Sequence, residues 1–284
     1  MINYTYNGDS ALIFDDKGGL YYYKESSECD RLYYYNEGEK PVRVDLPIGI
    51  SIIYKGVIYG YSSKEDDSFF IARYENGEVV KLMDLPDLWY FSKEGLYYQI
   101  DNEIYLMNYD SNNLKLIVKI PEELYSNWLG SKKFVVYRGL IWYYNSELEV
   151  FWSYDIESGV FTKFNEGGLS AINNGYLYFW KYDELSKEST LWRLNTETYY
   201  VEKVSEFDAH TIAFYKDNIL LQSVCEIRKV NLQGETKILE DSQVGDAEYF
   251  GFGDIATYKD RIIIQFGEEI IEIDIDGNIV NRIA

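Results

Sequence analysis

The side chains that most often perform catalysis are scarce or unpatterned in this sequence. There is a single histidine, His210, so a metal site built from several imidazoles is excluded. A serine–histidine–aspartate arrangement would need a serine held beside His210, and the sequence contains no nucleophile-elbow motif. Since a lone histidine is more often structural than catalytic, we expect His210 to be a ligand-binding residue at most.

Carboxylates are abundant, and paired carboxylates are how most glycosidases cleave sugars. With 48 Asp and Glu residues, some pair will fall within reach by chance, and no spacing singles one out. The sequence therefore favours a protein that is not an enzyme. Cleavage of a carbohydrate stays open as an alternative.

Metal and cofactor motifs are also weak. The run Asp-Ile-Asp-Gly-Asn at 274–278 is similar to the start of a calcium loop, but the closing Glu of such a loop is missing. The acidic run at 65–67 could collect a hard cation, although as a solvated charge run it needs none. The sequence has no phosphate-binding Gly loop, no nucleotide fingerprint and no zinc-spaced cysteine pair. We expect no metal and no cofactor.

The elements that must position any site recur along the chain. The chain contains seven apolar or aromatic runs that read as strands, most of them beginning at Gly or another turn residue. The first residues of successive runs are 37, 39, 44, 36, 43 and 43 positions apart. A period of about forty residues made only of strands indicates a β-propeller with one four-stranded blade per repeat. We expect an all-β, seven-bladed propeller forming one domain over residues 1–284. Six blades plus an extra hairpin is the alternative.

Alternation and turn residues divide each repeat into strands A to D. The predicted strands are 50–54, 57–61, 69–74 and 79–83 in repeat two, 88–92, 95–100, 103–109 and 114–120 in repeat three, and 254–258, 262–266, 270–275 and 279–283 in repeat seven. Most C-to-D turns carry Gly, Asn or Asp, which tolerate positive φ. Repeat seven has all four of its predicted strands, and the first strand of repeat one is predicted at 11–15. Residues 2–6, which alternate like a strand, are therefore not needed for any of the seven blades. Whether they close the ring by strand exchange stays open.

The strand-B runs resemble those of a known propeller group. Leu-Tyr-Tyr-Tyr at 20–23, Leu-Tyr-Tyr at 96–98 and Leu-Ile-Trp-Tyr at 140–143 are similar to the YWTD-type propellers of lipoprotein-receptor ectodomains and their tyrosine-rich bacterial relatives. The resemblance spans the whole chain at the level of the repeat pattern. It implies a binding scaffold.

The composition restricts the possible partners and the compartment. A formal net charge of −21 repels a phosphate backbone, so we do not expect nucleic-acid binding. The same charge favours solubility or attraction to a basic partner. Cys29 and Cys225 lie in repeats one and six and are expected to be free thiols. The sequence shows neither a signal peptide nor a membrane span. We expect a cytoplasmic protein, or a secreted one if a signal peptide has been removed.

In a propeller, the B-to-C and D-to-A connections open on one face, here called the loop face, where ligands usually bind. The predicted B-to-C loops are rich in acidic residues and the D-to-A loops, including Phe207, are rich in aromatic ones. The candidate ligand-binding residues are Trp89, Tyr90, Tyr125, Trp128, His210, Tyr249, Phe250 and Phe252. Packing of these rings against the neighbouring blade is the structural alternative.

Three functional hypotheses follow. The first is a non-catalytic scaffold that presents an aromatic, acid-rimmed face to a protein partner, expected to be basic, with the rings as apolar anchors. The second is recognition or cleavage of a carbohydrate on the same face, through stacking and hydrogen bonds to hydroxyl groups. The third is a domain that is one part of a larger assembly and has no small ligand.

Overall fold

The fold is a ring of seven four-stranded antiparallel blades, seen in a computed structural model of the 284-residue chain. The structure describes residues 12–24, 31–63, 68–92, 94–109, 113–125, 132–145, 150–164, 168–183, 188–244 and 252–283. Each blade uses four consecutive strands in chain order. The seven-bladed prediction is therefore confirmed, and the alternative of six blades plus a hairpin is excluded.

The strands follow the chain from the first blade to the seventh. Blades 1 and 2 contain β1 (Leu12–Phe14), β2 (Leu20–Lys24), β3 (Arg31–Tyr35), β4 (Val42–Arg43), β5 (Gly49–Tyr54), β6 (Val57–Ser63), β7 (Phe69–Glu75) and β8 (Glu78–Asp84). Blades 3 and 4 contain β9 (Leu88–Phe91), β10 (Leu96–Ile100), β11 (Glu103–Met107), β12 (Leu114–Lys119), β13 (Lys132–Tyr137), β14 (Leu140–Asn145), β15 (Val150–Asp155) and β16 (Phe161–Phe164).

The remaining three blades repeat the pattern. Blades 5 and 6 contain β17 (Gly168–Asn173), β18 (Tyr176–Asp183), β19 (Glu188–Asn195), β20 (Val201–Ser205), β21 (Thr211–Tyr215), β22 (Asn218–Gln222), β23 (Glu226–Asn231) and β24 (Gly234–Glu240). Blade 7 contains β25 (Phe252–Tyr258), β26 (Arg261–Phe266), β27 (Glu269–Ile273) and β28 (Ile279–Arg282). A 3₁₀ helix (Glu122–Leu124) and a single helical turn, α1 (Asp241–Val244), lie in two D-to-A connections.

The predicted strands agree with the observed ones to within two residues at each end. The predicted strand 57–61, for example, is β6, and the predicted strand 88–92 is β9. The agreement arises because apolar and aromatic side chains alternate along these strands and pack on both sides of every blade. The predicted extra strand at residues 2–6 lies outside the described residues.

The hydrophobic core lies between neighbouring blades. Apolar clusters join blade 1 to blade 2, blade 2 to blade 3, blades 3 to 5, blade 5 to blade 6, blade 6 to blade 7, and blade 7 back to blade 1. The largest side chains are fully buried in blade 4, where the rings of Tyr143 and Trp152 stack with centroids 4.6 Å apart. The abundant aromatic residues therefore serve mainly as packing between blades.

The ring closes by side-chain packing between blades 7 and 1, and each blade is complete without a strand from the other. Leu20 and Tyr22 of blade 1 share a buried cluster with Ile263 and Ile270 of blade 7. The Tyr258 hydroxyl donates to the carbonyl oxygen of Asp16 at 3.0 Å. Among the described residues, closure thus needs no strand exchange.

Two further contacts close the same junction. The guanidinium of Arg261 donates to the carbonyl oxygen of Gly18 at 3.1 Å and pairs with the Glu272 carboxylate, Nε to Oε1, at 3.2 Å. The Asn281 amide donates to the Tyr35 hydroxyl at 3.1 Å. Blade 7 is therefore joined to blade 1 by polar as well as apolar contacts.

The C-to-D turns are held by the side chains that begin them. The Oδ1 atom of Asp274 accepts from the amides of Asp276 and Asn278, each at 2.9 Å, which settles the calcium-like run 274–278 as a turn. Asn195 holds its own turn in the same way. These local hydrogen bonds hold both hairpin turns.

Two general features complete the description. Cys225 is an exposed free thiol, as expected, whereas Cys29 lies outside the described residues. Across the described ranges, no helix has the length and apolarity to cross a membrane.

Candidate functional site

The antiparallel order of each blade places the B-to-C and D-to-A connections at one end of the strands and the A-to-B and C-to-D turns at the other. The structure describes two parts of the loop face in detail. One part lies at the end of blade 3, and the other lies where blade 5 meets blade 6. Both contain acidic and aromatic side chains.

The first part is a hydrogen-bonded corner at the end of blade 3. The Asp101 amide donates to the Asp87 carboxylate at 3.0 Å, and the Asp87 amide donates to the carbonyl oxygen of Gln99 at 3.1 Å. The Gln99 side chain is fully buried and its amide donates to the carbonyl oxygen of Asp101 at 2.6 Å. These bonds hold the Asp87 carboxylate and the backbone of Asp101 above a buried amide.

Tyr125 lies beside this corner, just after the 3₁₀ helix. It is half-buried and packs against the core between blades 3 and 4. Burial, together with the nearby charges of Asp87 and Asp101, raises the pKa of the Tyr125 hydroxyl. Both carboxylates are exposed, and neither has a cationic partner within the part of the chain that the structure describes. We call Asp87, Asp101 and Tyr125 the acidic corner.

The predicted aromatic residues of β9 separate into two environments. Trp89 is half-buried and packs with the cluster between blades 2 and 3. Tyr90 is only 9% exposed and packs between blades 3 and 4, with its ring 6.3 Å from that of Phe134. Tyr90 is therefore a packing residue, whereas Trp89 retains some exposed surface on the other side of blade 3.

The other predicted residues are distributed as follows. His210 is exposed in the D-to-A connection before blade 6, and its amide donates to the carbonyl oxygen of Gln222 at 2.9 Å. Phe252 begins β25, and its side chain is not described. Three predicted residues lie outside the described residues, namely Trp128, Tyr249 and Phe250. The structure thus brings Tyr125 and two carboxylates together, with His210 on a different blade.

The second part is a cleft between blades 5 and 6, with a cavity volume of about 490 Å³. Its walls come from the end of β20 and the following connection on one side, and from β23 and β24 on the other. Its lining includes Lys203, Ser205, Phe207, Asp208, Arg228 and Glu235. We call this the blade 5–6 cleft.

Arg228 organises the blade 5–6 cleft. Its guanidinium contacts Glu226 at 2.5 Å and Glu235 at 2.7 Å, and lies 4.2 Å from the centre of the Phe207 ring. Hydrogen bonding to Glu235 raises the pKa of Arg228, so this group is charged at every ordinary pH. The Ser205 hydroxyl donates to Glu235 at 2.6 Å, which ties blade 5 to blade 6.

Sequence reasoning noted Phe207 as a loop aromatic but missed Arg228. Arg228 lies within a regular strand, β23, and alternation of charged residues with apolar ones is common in strands. The signal that could have found it is the run Glu226-Ile227-Arg228, in which the two charged side chains lie on the same face of the strand.

The arrangement provides hydrogen bonding and charge but shows no catalytic constellation among the residues described. No group of three or more His, Cys, Asp or Glu side chains that could hold a metal ion occurs in these ranges. No contact joins His210 to a serine or a carboxylate there.

No protein-family model matches the chain, and no curated protein matches it in sequence. Solved structures share its fold. The extracellular domain of a hybrid two-component system from B. thetaiotaomicron aligns with a TM-score of 0.59 at 9% identity, over 98% of this chain and 41% of that chain. An oligogalacturonate lyase from Vibrio parahaemolyticus aligns with a TM-score of 0.57 at 12% identity, over 93% of this chain and 87% of that chain. A chain of the mitotic checkpoint complex aligns with a TM-score of 0.55 at 9% identity, over 96% of this chain and 92% of that chain.

These similarities establish the fold and nothing finer. The chain spans about two fifths of the extracellular-domain chain that it matches. The expected resemblance to other propellers is thus supported at the level of the repeat, and the narrower YWTD-type grouping is not resolved. At such low identity, similarity of fold does not transfer an activity.

Proposed function

We propose that this protein is a non-catalytic binding scaffold whose loop face binds a basic segment of a protein partner. The observation that carries the proposal is the acidic corner, where two hydrogen-bonded, exposed acidic residues, Asp87 and Asp101, lie close enough to the half-buried Tyr125 for their charges to raise the pKa of its hydroxyl. A lysine or arginine side chain could pair with the carboxylates and lie against the aromatic ring.

Three basic residues near the loop face support this proposal because they are already neutralised. Lys119 pairs with Glu103 at 3.5 Å, Lys203 with Glu206 at 2.5 Å, and Lys237 with Glu240 at 2.6 Å. The unpaired carboxylates of the acidic corner therefore dominate the local field. The net charge of −21 adds long-range attraction for a basic partner.

The corner is also prepared for binding. Hydrogen bonds from backbone amides hold Asp87 and Gln99 in place before any partner arrives. Little side-chain freedom would be lost on association, which favours affinity.

The test uses a fluorescent oligolysine peptide and its oligoglutamate counterpart as probes, with affinity measured by anisotropy. The double variant Asp87→Asn/Asp101→Asn should raise the dissociation constant for oligolysine about tenfold, which corresponds to a loss of roughly 1.4 kcal/mol in binding free energy. The matched control Glu37→Gln/Glu157→Gln removes the same charge from exposed turns on the opposite face and should change affinity little.

The salt dependence separates this proposal from the carbohydrate alternative. Binding to a basic segment should weaken as ionic strength rises, whereas binding of a neutral sugar should not. Equal losses in the two double variants would mean that the peptide senses only net charge, and the acidic corner would be abandoned as the site. Absence of oligolysine binding even at low salt would also refute the proposal.

The similarity to an oligogalacturonate lyase does not favour cleavage of such a substrate here. An oligogalacturonate carries a carboxylate on every sugar ring, and the acidic corner would repel it. Carbohydrate cleavage on this face therefore has no observation of its own in its favour.

A further inference from the structure

The blade 5–6 cleft has the size and the lining of a small-ligand site separate from the acidic corner. Its volume of about 490 Å³ lies within the usual range for ligand pockets. It lies at the outer side of the ring, between the last strand of blade 5 and the outer strands of blade 6. A ligand there would contact two blades.

The charges that line the cleft are largely paired with one another. Lys203 pairs with Glu206 at 2.5 Å, and Arg228 pairs with Glu226 and Glu235. Both cations of the lining are therefore balanced by carboxylates of the protein itself. This internal compensation distinguishes the cleft from the acidic corner.

The same side chains keep hydrogen-bonding capacity for a ligand. A guanidinium has five N–H groups, and the contacts to Glu226 and Glu235 use three of those on Arg228. The Lys203 ammonium has three N–H groups, and one of them donates to Glu206. Donors and carboxylate acceptors thus both line the walls.

Asp208 adds an acceptor at the mouth of the cleft. It is exposed, and within the described residues it forms neither an ion pair nor a hydrogen bond. Phe207, next to it, supplies apolar surface and is held by Arg228 and by the bond from its amide to the Ser205 hydroxyl at 2.9 Å. Polar and apolar surfaces therefore lie side by side on a rigid support.

We propose that the blade 5–6 cleft binds a neutral oligosaccharide. A hydroxyl group both donates and accepts, so a polyhydroxyl ligand matches walls that carry ammonium, guanidinium and carboxylate groups together. The apolar C–H face of a sugar ring packs on apolar surface, which the partly exposed Phe207 side chain supplies beside the Arg228 guanidinium. Acidic sugars are disfavoured because carboxylates outnumber cations in the lining.

The experiment is an NMR or calorimetric titration of the whole chain with a panel of neutral hexose trisaccharides that includes maltotriose and cellotriose. Digalacturonate serves as the acidic counterpart. At least one neutral trisaccharide should bind, equally well at low and high salt, and digalacturonate should bind at least tenfold more weakly.

The variants locate the site. Asp208→Ala should weaken binding about tenfold, and Lys203→Ala should weaken it as well. Asp217→Ala is the matched control, because it removes an exposed carboxylate from a turn of blade 6 on the opposite face. All three positions are exposed, so circular dichroism should show an unchanged fold.

The proposal is overturned if no neutral trisaccharide of the panel binds at millimolar concentration. It is also overturned if binding persists unchanged in both Asp208→Ala and Lys203→Ala, or if digalacturonate binds more tightly. This outcome is independent of the protein-binding proposal, since the Asp87→Asn/Asp101→Asn variant should bind the sugar like the unmodified protein.

Discussion

Single side chains on the loop face act through the contacts that hold them. Arg228 contacts two carboxylates and one aromatic ring at the same time, and only a planar, branched cation can do so. Arg228 is thus the residue that fixes the distance between the two walls of the blade 5–6 cleft.

Replacing Arg228 by Lys keeps the charge but removes this geometry. We expect Arg228→Lys to lower the free energy of unfolding by about 1 kcal/mol, because a lysine cannot bond both Glu226 and Glu235 while covering Phe207. Urea denaturation measures the change. The control Arg43→Lys alters an exposed pair with Asp45 and should cost less than about 0.5 kcal/mol. Equal losses in the two variants would contradict this role of Arg228.

At this scale the sequence predicted the residue types of the site but not their exposure. Trp89 and Tyr90 are neighbours in β9, so their side chains point to opposite sides of the blade. Both sides are covered by other blades, and the amount of surface that remains depends on those neighbours. For that reason Tyr90 became a packing residue, while Tyr125, in a connection, came to lie beside Asp87 and Asp101.

Strands and turns are the elements that the sequence predicts best. Glycines in the C-to-D turns were expected from their tolerance of positive φ, and Gly77 and Gly277 do adopt φ of 88° and 86°. Their surroundings differ. A Cβ atom at Gly77 would meet no other atom within 4 Å, whereas at Gly277 it would lie 1.8 Å from the carbonyl oxygen of Ile238 in blade 6.

This pair separates backbone strain from close packing between blades. We expect Gly77→Ala to lower the free energy of unfolding by about 1 kcal/mol, the strain of a left-handed residue. Gly277→Ala should cost at least about 2 kcal/mol more, because the backbone of blade 6 must also move. Equilibrium denaturation of both variants measures the difference. Equal effects would mean that the turn of blade 7 can shift freely away from β24.

The close approach at Gly277 could not have been predicted from the repeat. Turn chemistry is local, and both glycines have the same local role. The approach of one turn to the neighbouring blade depends on how the two blades pack, which the sequence spacing does not contain.

At the scale of the whole molecule, the junction between blades 7 and 1 decides whether the ring stays closed. Arg261 is central there, since it contacts the carbonyl oxygen of Gly18 and pairs with Glu272 while both charged side chains are largely buried, at 11% and 14% exposed. A buried charge that loses its partner is strongly destabilising.

We expect Arg261→Gln to lower the free energy of unfolding by about 3 kcal/mol. The double variant Arg261→Gln/Glu272→Gln should cost less than the sum of the two single changes, because no charge is then left unpaired. Hydrogen exchange should quicken in blades 1 and 7. In Arg193→Gln, which breaks the Arg193–Glu202 pair within blade 5, exchange at that junction should stay unchanged. Additive single effects would argue against this coupling.

The number of blades followed from the sequence because each repeat carries its own strands and turns, about forty residues at a time. The way in which the ring closes did not follow, because Tyr258 and Asp16 are 242 positions apart and nothing in their spacing pairs them. The same limit applies to the acidic corner and the blade 5–6 cleft, which are assembled from residues of different strands and blades.

Within the described residues, blades 7 and 1 meet through packed side chains and through hydrogen bonds from Tyr258 and Arg261 to backbone carbonyl oxygens, without sharing a strand. The described chain therefore enters and leaves the ring at one place. Leu12 and Ile283 belong to the same buried cluster. A ring of this kind can be carried as a cassette inside another polypeptide, with both connections entering at that junction while the blades remain closed. For the same reason, we expect circularly permuted chains that begin at another blade to fold into the same seven-bladed ring.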